Sequence, residues 1–185
     1  MLRRMMILSL LLGAMAACAS GPIGRTSDPR PEMDRSYNLT GLTFTAAEDI
    51  TVSEANNYYP AADIVWRGDP LGNRVEQIGT LFQEAARRNI GNMGGTQPVT
   101  VDIELLRFHG VTQRTQYSVG GVHNIIFMMT VRDARTGAVI EQPRRIVANL
   151  EQPGGQEALR LEQSGQTQRV RVVDFLASVL RSELI

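Results

Sequence analysis

Lysine is absent from this chain: all 19 of its basic side chains are arginine. That excludes a P-loop lysine, a kinase-type lysine and a Schiff-base enzyme, because each of those chemistries needs the ammonium group. Histidine is nearly absent too. The two present, His109 and His123, form an incomplete donor set for zinc. No G-x-S-x-G sequence offers a nucleophile elbow. There is no surplus of positive charge, since 19 acidic residues balance the 19 arginines. Removing Arg3 and Arg4 with an N-terminal leader leaves 17 arginines against those 19 carboxylates, so nucleic acid is excluded as an expected partner. The apolar run Met5 to Met15 is also too short for a membrane span. As a helix it reaches only about 16 Å of the roughly 30 Å of hydrocarbon.

What is present starts with that leader. Leu2-Arg3-Arg4 gives a positive start, Met5 to Met15 an apolar core, and Ala16-Ala17 two small residues before the only cysteine, Cys18. This order reads as a bacterial lipoprotein signal, residues 1–17, with Cys18 lipidated and first in the mature chain. The competing reading is cleavage after Ala14-Met15-Ala16, which releases a soluble protein with an unpaired thiol in an oxidising compartment. Lipidation accounts for the lone cysteine, and two or more acyl chains hold a protein stably at a membrane. Ala19 follows Cys18 where an aspartate would signal inner-membrane retention. By resemblance to the enterobacterial sorting rule, the destination is the periplasmic leaflet of the outer membrane.

Residues 18–40 read as the lipidated N-terminus and a flexible tether, rich in Gly, Pro, Ser, Arg and Asp around Asp28-Pro29-Arg30-Pro31. Residues 41–185 suit one globular domain. Within it, alternation predicts a strand over 49–54 with Ile50 and Val52 on one side, preceded by a short one through Leu42 and Phe44. Asp69-Pro70 sets a helix start, and Val75, Ile78, Leu81, Phe82 and Ala85 make a helical stripe ending near Asn89, with Gly91 as the stop. Val99, Val101, Ile103 and Leu105 alternate with polar residues, and a second strand runs from about Val122 to Arg132. Pairing them so that residue numbers sum to 232 sets Val101 against Val131, Ile103 against Met129 and Leu105 against Phe127. A turn over 133–137 leads to a strand through Val139, Ile140, Ile146 and Ala148, placed at an edge or on a bulge by Pro143. A closing helix spans about Thr167 to Leu184. The expected class is α+β: an antiparallel sheet of four to five strands with two amphipathic helices packed on one face.

Several constellations invite chemical readings. The 232 register sets His109 opposite His123, as a metal pair or a pH switch would need, or as two solvated loop-end residues. Asp102 and Glu104 share a strand face, as paired carboxylates or simply as a wet surface. Arg67-Gly68-Asp69 matches an adhesion tripeptide, but a helix start asks for a turn there anyway. Gly91-Asn92-Met93-Gly94-Gly95 lacks the lysine and the strand-to-helix order of a phosphate loop. The strongest candidate is a partner or ligand surface. Ile126 and Met128 lie opposite the core face, beside Leu106 and Phe108, and apolar pairs there need a cover. Residues 55–66, with Tyr58, Tyr59 and Trp66, are the internal candidate. A docked protein or lipid chain is the external one, and methionine gives adaptable contacts.

The leader, the tether and the segment from Ile50-Thr51-Val52-Ser53-Glu54-Ala55-Asn56 through Ile64-Val65-Trp66-Arg67-Gly68-Asp69-Pro70-Leu71-Gly72 together resemble an uncharacterised family of alphaproteobacterial envelope lipoproteins, a domain of unknown function. A looser likeness, in architecture only, is to accessory lipoproteins of envelope transport and assembly systems. The resemblance implies no catalytic residue, cofactor or metal. The expectation is a non-enzymatic, membrane-anchored lipoprotein facing the periplasm and binding an envelope protein or lipid. The alternative is a carrier of lipid or a small apolar ligand on the second sheet face.

Overall fold

The computed structural model describes residues 26–185, so the leader and Cys18 lie outside the described residues. In chain order the elements are β1 (Tyr37–Ala46), β2 (Ile64–Val65), α1 (Arg74–Asn89), β3 (Gln97–His109), α2 (Gln113–Gln116), β4 (Gly121–Asp133), β5 (Val139–Gln152), α3 (Gly155–Gln163) and α4 (Gln168–Leu184).

The sheet is mixed rather than purely antiparallel. Its order is β1-β3-β4-β5, and β2 also lies beside β3. β1 runs parallel to Gln97–Leu105, and β2 continues along Phe108–His109, so two short strands share one flank of β3. They are parallel because α1 carries the chain back before β3 begins, so β3 starts from the same end as β1. The β3–β4 and β4–β5 pairs are antiparallel, and Val101 faces Val131, Ile103 faces Met129 and Leu105 faces Phe127, as the alternation predicts. Val52 makes only an isolated bridge to Ile64 and is half exposed, so the strand expected over 49–54 does not form. Its place beside β3 goes to Ile64 and Val65, whose side chains are fully buried. Pro143 lies on the edge strand, where the β4–β5 register shifts between Met129 and Val131. A missing N–H costs nothing there.

One face of the sheet is covered by α1 and α4. Ile78, Leu81, Phe82 and Ala85 of α1 join Val172, Val173, Leu176 and Leu180 of α4 over the odd-numbered side chains of β3 and β4. Phe82 meets Phe127 edge to face at 5.3 Å, an arrangement favoured by the ring quadrupoles. α1 starts at Asn73, whose side chain accepts from the Val75 and Glu76 amides, rather than at Asp69. Asp69 instead accepts the indole N–H of buried Trp66 at 2.6 Å and takes the Arg169 guanidinium. Thr167 caps α4, and Gly91 adopts φ 75° just past α1. Two further helices were not foreseen: α2 is a single turn, and α3 buries only Ala158.

Residues 26–36, read from composition as part of a tether, lie against the domain. The Asp28 amide donates to the Arg145 carbonyl at 2.7 Å, and its carboxylate accepts from the Arg145 amide at 2.7 Å. The Ser27 hydroxyl accepts from the Val147 amide at 2.9 Å. Arg35 then forms a two-point ion pair with Glu141, 2.9 and 3.0 Å, both side chains being almost wholly buried. These bonds occupy part of the outer edge of β5. Unpaired backbone groups on such an edge would otherwise invite pairing with another chain.

Candidate binding surface on the open sheet face

The face of the sheet turned away from the helices is shaped by one extra residue. β3 and β4 keep the 232 register as far as Leu105, then shift, so that Arg107 pairs with Ile126, Phe108 with Ile125 and His109 with Asn124. Leu106 is the bulged, half-buried residue. Unbroken alternation would send Arg107 into the core and Phe108 out to water. The bulge reverses both, and Phe108 becomes fully buried against Trp66 at 5.3 Å. Phe108 is therefore core, not part of the second-face surface where the sequence placed it. Ile126 and Met128 do lie on the open face, half-buried, opposite Val147 and Arg145 of β5.

The same shift parts the two histidines. His109 points to the open side, stacks on Tyr59 at 4.3 Å, and its Nε2 is 2.9 Å from the Pro60 carbonyl oxygen. His123 points into the core with no exposed surface. Its Nε2 lies 3.4 Å from the Gln152 side-chain oxygen, and its Nδ1 has no partner. Burial pushes the His123 pKa down to about 4 and lowers that of His109, so both are neutral near pH 7. They do not form a pair. Among the described residues no group of three or more His, Cys, Asp or Glu could hold a metal ion. Asp102 is paired with Arg132 at 2.5 Å and Glu104 is exposed; neither joins a histidine. Arg67 of the adhesion-like tripeptide bonds to Glu54 and to three backbone carbonyls, and Asp69 is held by Trp66 and Arg169. That turn is structural.

Where β3, β4 and β5 end beside the loop over 56–60, an open pocket of about 750 Å³ forms. Arg107, Asn124, Ile126, Asn149 and Glu151 line its sheet side, and Tyr58, Tyr59, Val119 and Val122 stand around it. Arg107 donates to the Asn124 side-chain oxygen at 3.1 Å and to the Tyr59 hydroxyl at 2.9 Å. Asn124 in turn donates to the Asn149 oxygen at 2.8 Å. Thr112 and Thr115 fix the tyrosine loop by donating to the Asn57 and Tyr58 carbonyls. Arg114 sits over the Tyr58 ring at 4.7 Å. The internal cover expected from residues 55–66 is thus divided: Tyr59 reaches the open face at Arg107 and His109, whereas Trp66 is core. The site residues missed from sequence are Arg107, Asn124, Asn149 and Glu151. Their one signal was Arg107 itself, an arginine that strict alternation would have buried.

The chain belongs to a family of unknown function, DUF6778, whose model matches residues 37–185. No curated protein matches it. Among solved structures it is similar to a Xanthomonas campestris protein of the DUF330 family, with 13% identity, TM-score 0.43, and coverage of 84% of this chain and 87% of that one. It is also similar to a Caulobacter crescentus CB15 protein named "putative lipoprotein", with 11% identity, TM-score 0.32, and coverage of 80% and 87%.

Proposed function

We propose that this protein is a lipid-anchored component of the bacterial envelope, carrying its lipid on Cys18 and binding another envelope component through the open sheet face. With Ala19 after Cys18, the enterobacterial sorting rule supports an anchor that faces the periplasm from the outer membrane, and we read the domain as doing no chemistry of its own. The observation that carries the binding reading is the open, mixed pocket beside the half-buried Ile126. An arginine, a glutamate and two asparagines share its lining with valine and tyrosine. A carrier of apolar molecules needs an enclosed apolar cavity. Of the four residues expected to line one, only Ile126 reaches this pocket, and Phe108 is spent on the core. A polar rim around apolar contacts is instead the composition of a protein-docking surface.

The test is crosslinking in cells, with Cys18→Ser and Ile126→Asp alongside the native protein, read by mass spectrometry on isolated envelopes. One dominant protein partner is expected, lost in both variants while the Ile126→Asp domain stays folded. Recovery of lipid alone would favour the carrier. An Ile126→Asp protein that is folded and still crosslinks would refute docking on this face.

A further inference from the structure

We infer that the pocket end of the sheet rests on the surface of the bilayer that carries the anchor, held there by residues 26–28 on the edge of β5. The inference builds on the proposed lipidation of Cys18 and adds an orientation to it.

The first observation is the course of the N-terminal segment. Ser27 bonds at Val147, Asp28 at Arg145 and Arg35 at Glu141, so this segment runs antiparallel to β5. Followed back toward the N-terminus, it heads for the Gln152 end of β5, where β5 pairs with Gly121 and Val122 and the pocket lies. Cys18 precedes Thr26 by eight positions, which span at most about 28 Å of extended chain. From Val147 to the Gln152 end is about 17 Å of strand, so eight positions are long enough to pass that end with length to spare. The opposite end, at Val139, is about 27 Å from Val147, which leaves nothing over to reach a membrane beyond it. Were residues 26–36 free, the leash from Cys18 to Tyr37 would extend about 65 Å and set no orientation. Docking on β5 turns a long tether into a short one with a direction.

The second observation is independent of the first. The pocket end gathers exposed side chains of the kind that settle at a headgroup boundary: Val119 (77% exposed), Tyr59 (70%), Tyr58 (53%), Tyr117 (47%) and Val122. Tyrosine favours this zone because one end of the ring is apolar and the other hydrogen-bonds. The opposite end of the sheet exposes Val139 to the same degree as Val122 but, among the described residues, no tyrosine, and its β4–β5 turn is Ala134-Arg135-Thr136-Gly137, which is exposed. The exposed tyrosines therefore cluster at the end to which residues 28 to 26 lead. A partner reaching the pocket then approaches along the membrane plane, as another membrane-bound component would.

Lipidation leaves the chain without another thiol. Val119→Cys and Ala134→Cys therefore each give a single labelling site, about 40 Å apart along β4. The mature lipidated protein, labelled with a polarity-sensitive fluorophore, is reconstituted into vesicles of phosphatidylethanolamine and phosphatidylglycerol bearing a headgroup-level quencher. Quenching at position 119 is expected to exceed that at 134 at least two-fold, and Ser27→Ala with Asp28→Ala should bring the ratio toward one. Equal quenching at both sites, or stronger quenching at 134, overturns the orientation. An unchanged ratio in the double variant overturns the part assigned to residues 26–28. The mass of the N-terminal peptide separates the two levels of failure. An unmodified Cys18 removes the anchor reading itself, whereas a lipidated Cys18 with an unquenched Val119 removes only the orientation.

Discussion

Acidifying the protein from pH 7 to pH 5 should cost it stability through a single imidazole. His123 has no exposed surface, and Gln152 offers its Nε2 only an acceptor, one already engaged by Arg171. The favoured tautomer thus carries its proton on Nε2 and leaves the Nδ1 lone pair buried without a partner. A second proton on Nδ1 would be a buried charge with no acceptor and the Arg171 cation nearby. Burial first, and that cation after it, push the His123 pKa from 6.5 down to about 4. The sign follows from proton counting. Above pH 6.5 both folded and unfolded chains hold a neutral imidazole, and the full stability is present. Between 6.5 and 4 the unfolded chain takes a proton that the native state refuses, so stability falls by about 1.4 kcal/mol per pH unit. Below pH 4 the native state is protonated too and the slope ends. The whole window is worth roughly 3 kcal/mol, and the part between pH 7 and pH 5 about 2 kcal/mol.

Urea unfolding of the Cys18→Ser mature chain, with and without His123→Gln, measures this directly. The gap between the two proteins should shrink by about 2 kcal/mol from pH 7 to pH 5. His109→Gln serves as a comparison, because His109 is shifted in the same direction but lies against the loop rather than in the core. If the native chain and His123→Gln lose equal stability over this range, the histidine is not held neutral and the reasoning fails.

Other expectations follow from the same contacts. Deleting Leu106 removes the inserted residue and leaves Arg107 opposite Ile126 and Phe108 opposite Ile125 in a regular ladder, so thermal unfolding should show the domain still folded; a barely folded domain would show that the bulge itself is required. Arg35→Ala leaves buried Glu141 with only the Tyr37 hydroxyl and an Arg144 at 3.8 Å, which should cost roughly 3 kcal/mol in urea unfolding, and a loss under 1 kcal/mol would show that the pair is solvated. Trp66→Phe keeps most of the apolar volume but removes the indole donor to an Asp69 oxygen that keeps Arg169, so a loss of about 0.5–1.5 kcal/mol is expected by the same assay.

Much of the sheet could be read from the chain because its alternation is clean where both neighbours are regular. Val99 to Leu105 and Phe127 to Val131 have one buried face and one wet face, and only one register brings the buried sets together. The α1 stripe was legible for the same reason at a different period. The parallel placement of β1 and β2 was not, since it depends on where α1 returns the chain, and no local residue records that. Residues 26–36 look like a linker because their bonds to β5 run largely through backbone groups and short polar side chains, which leave no apolar pattern. The pocket was hidden for a similar reason: two of its walls are loops held by threonine-to-carbonyl bonds.

The one local clue to the site was a violation. Leu105-Leu106-Arg107-Phe108 cannot continue the alternation before it without placing a guanidinium in the core and a phenyl ring in water. An inserted residue costs one unpaired position in the ladder, far less than either misplacement, so the strand bulges. Everything that distinguishes the open face follows from that step. Arg107 comes within reach of Asn124 and Tyr59, His109 comes under the Tyr59 ring, and the tyrosine loop is drawn over the end of the sheet. The residue that spoils the pattern is thus the one that sets the facing of Arg107, Phe108 and His109.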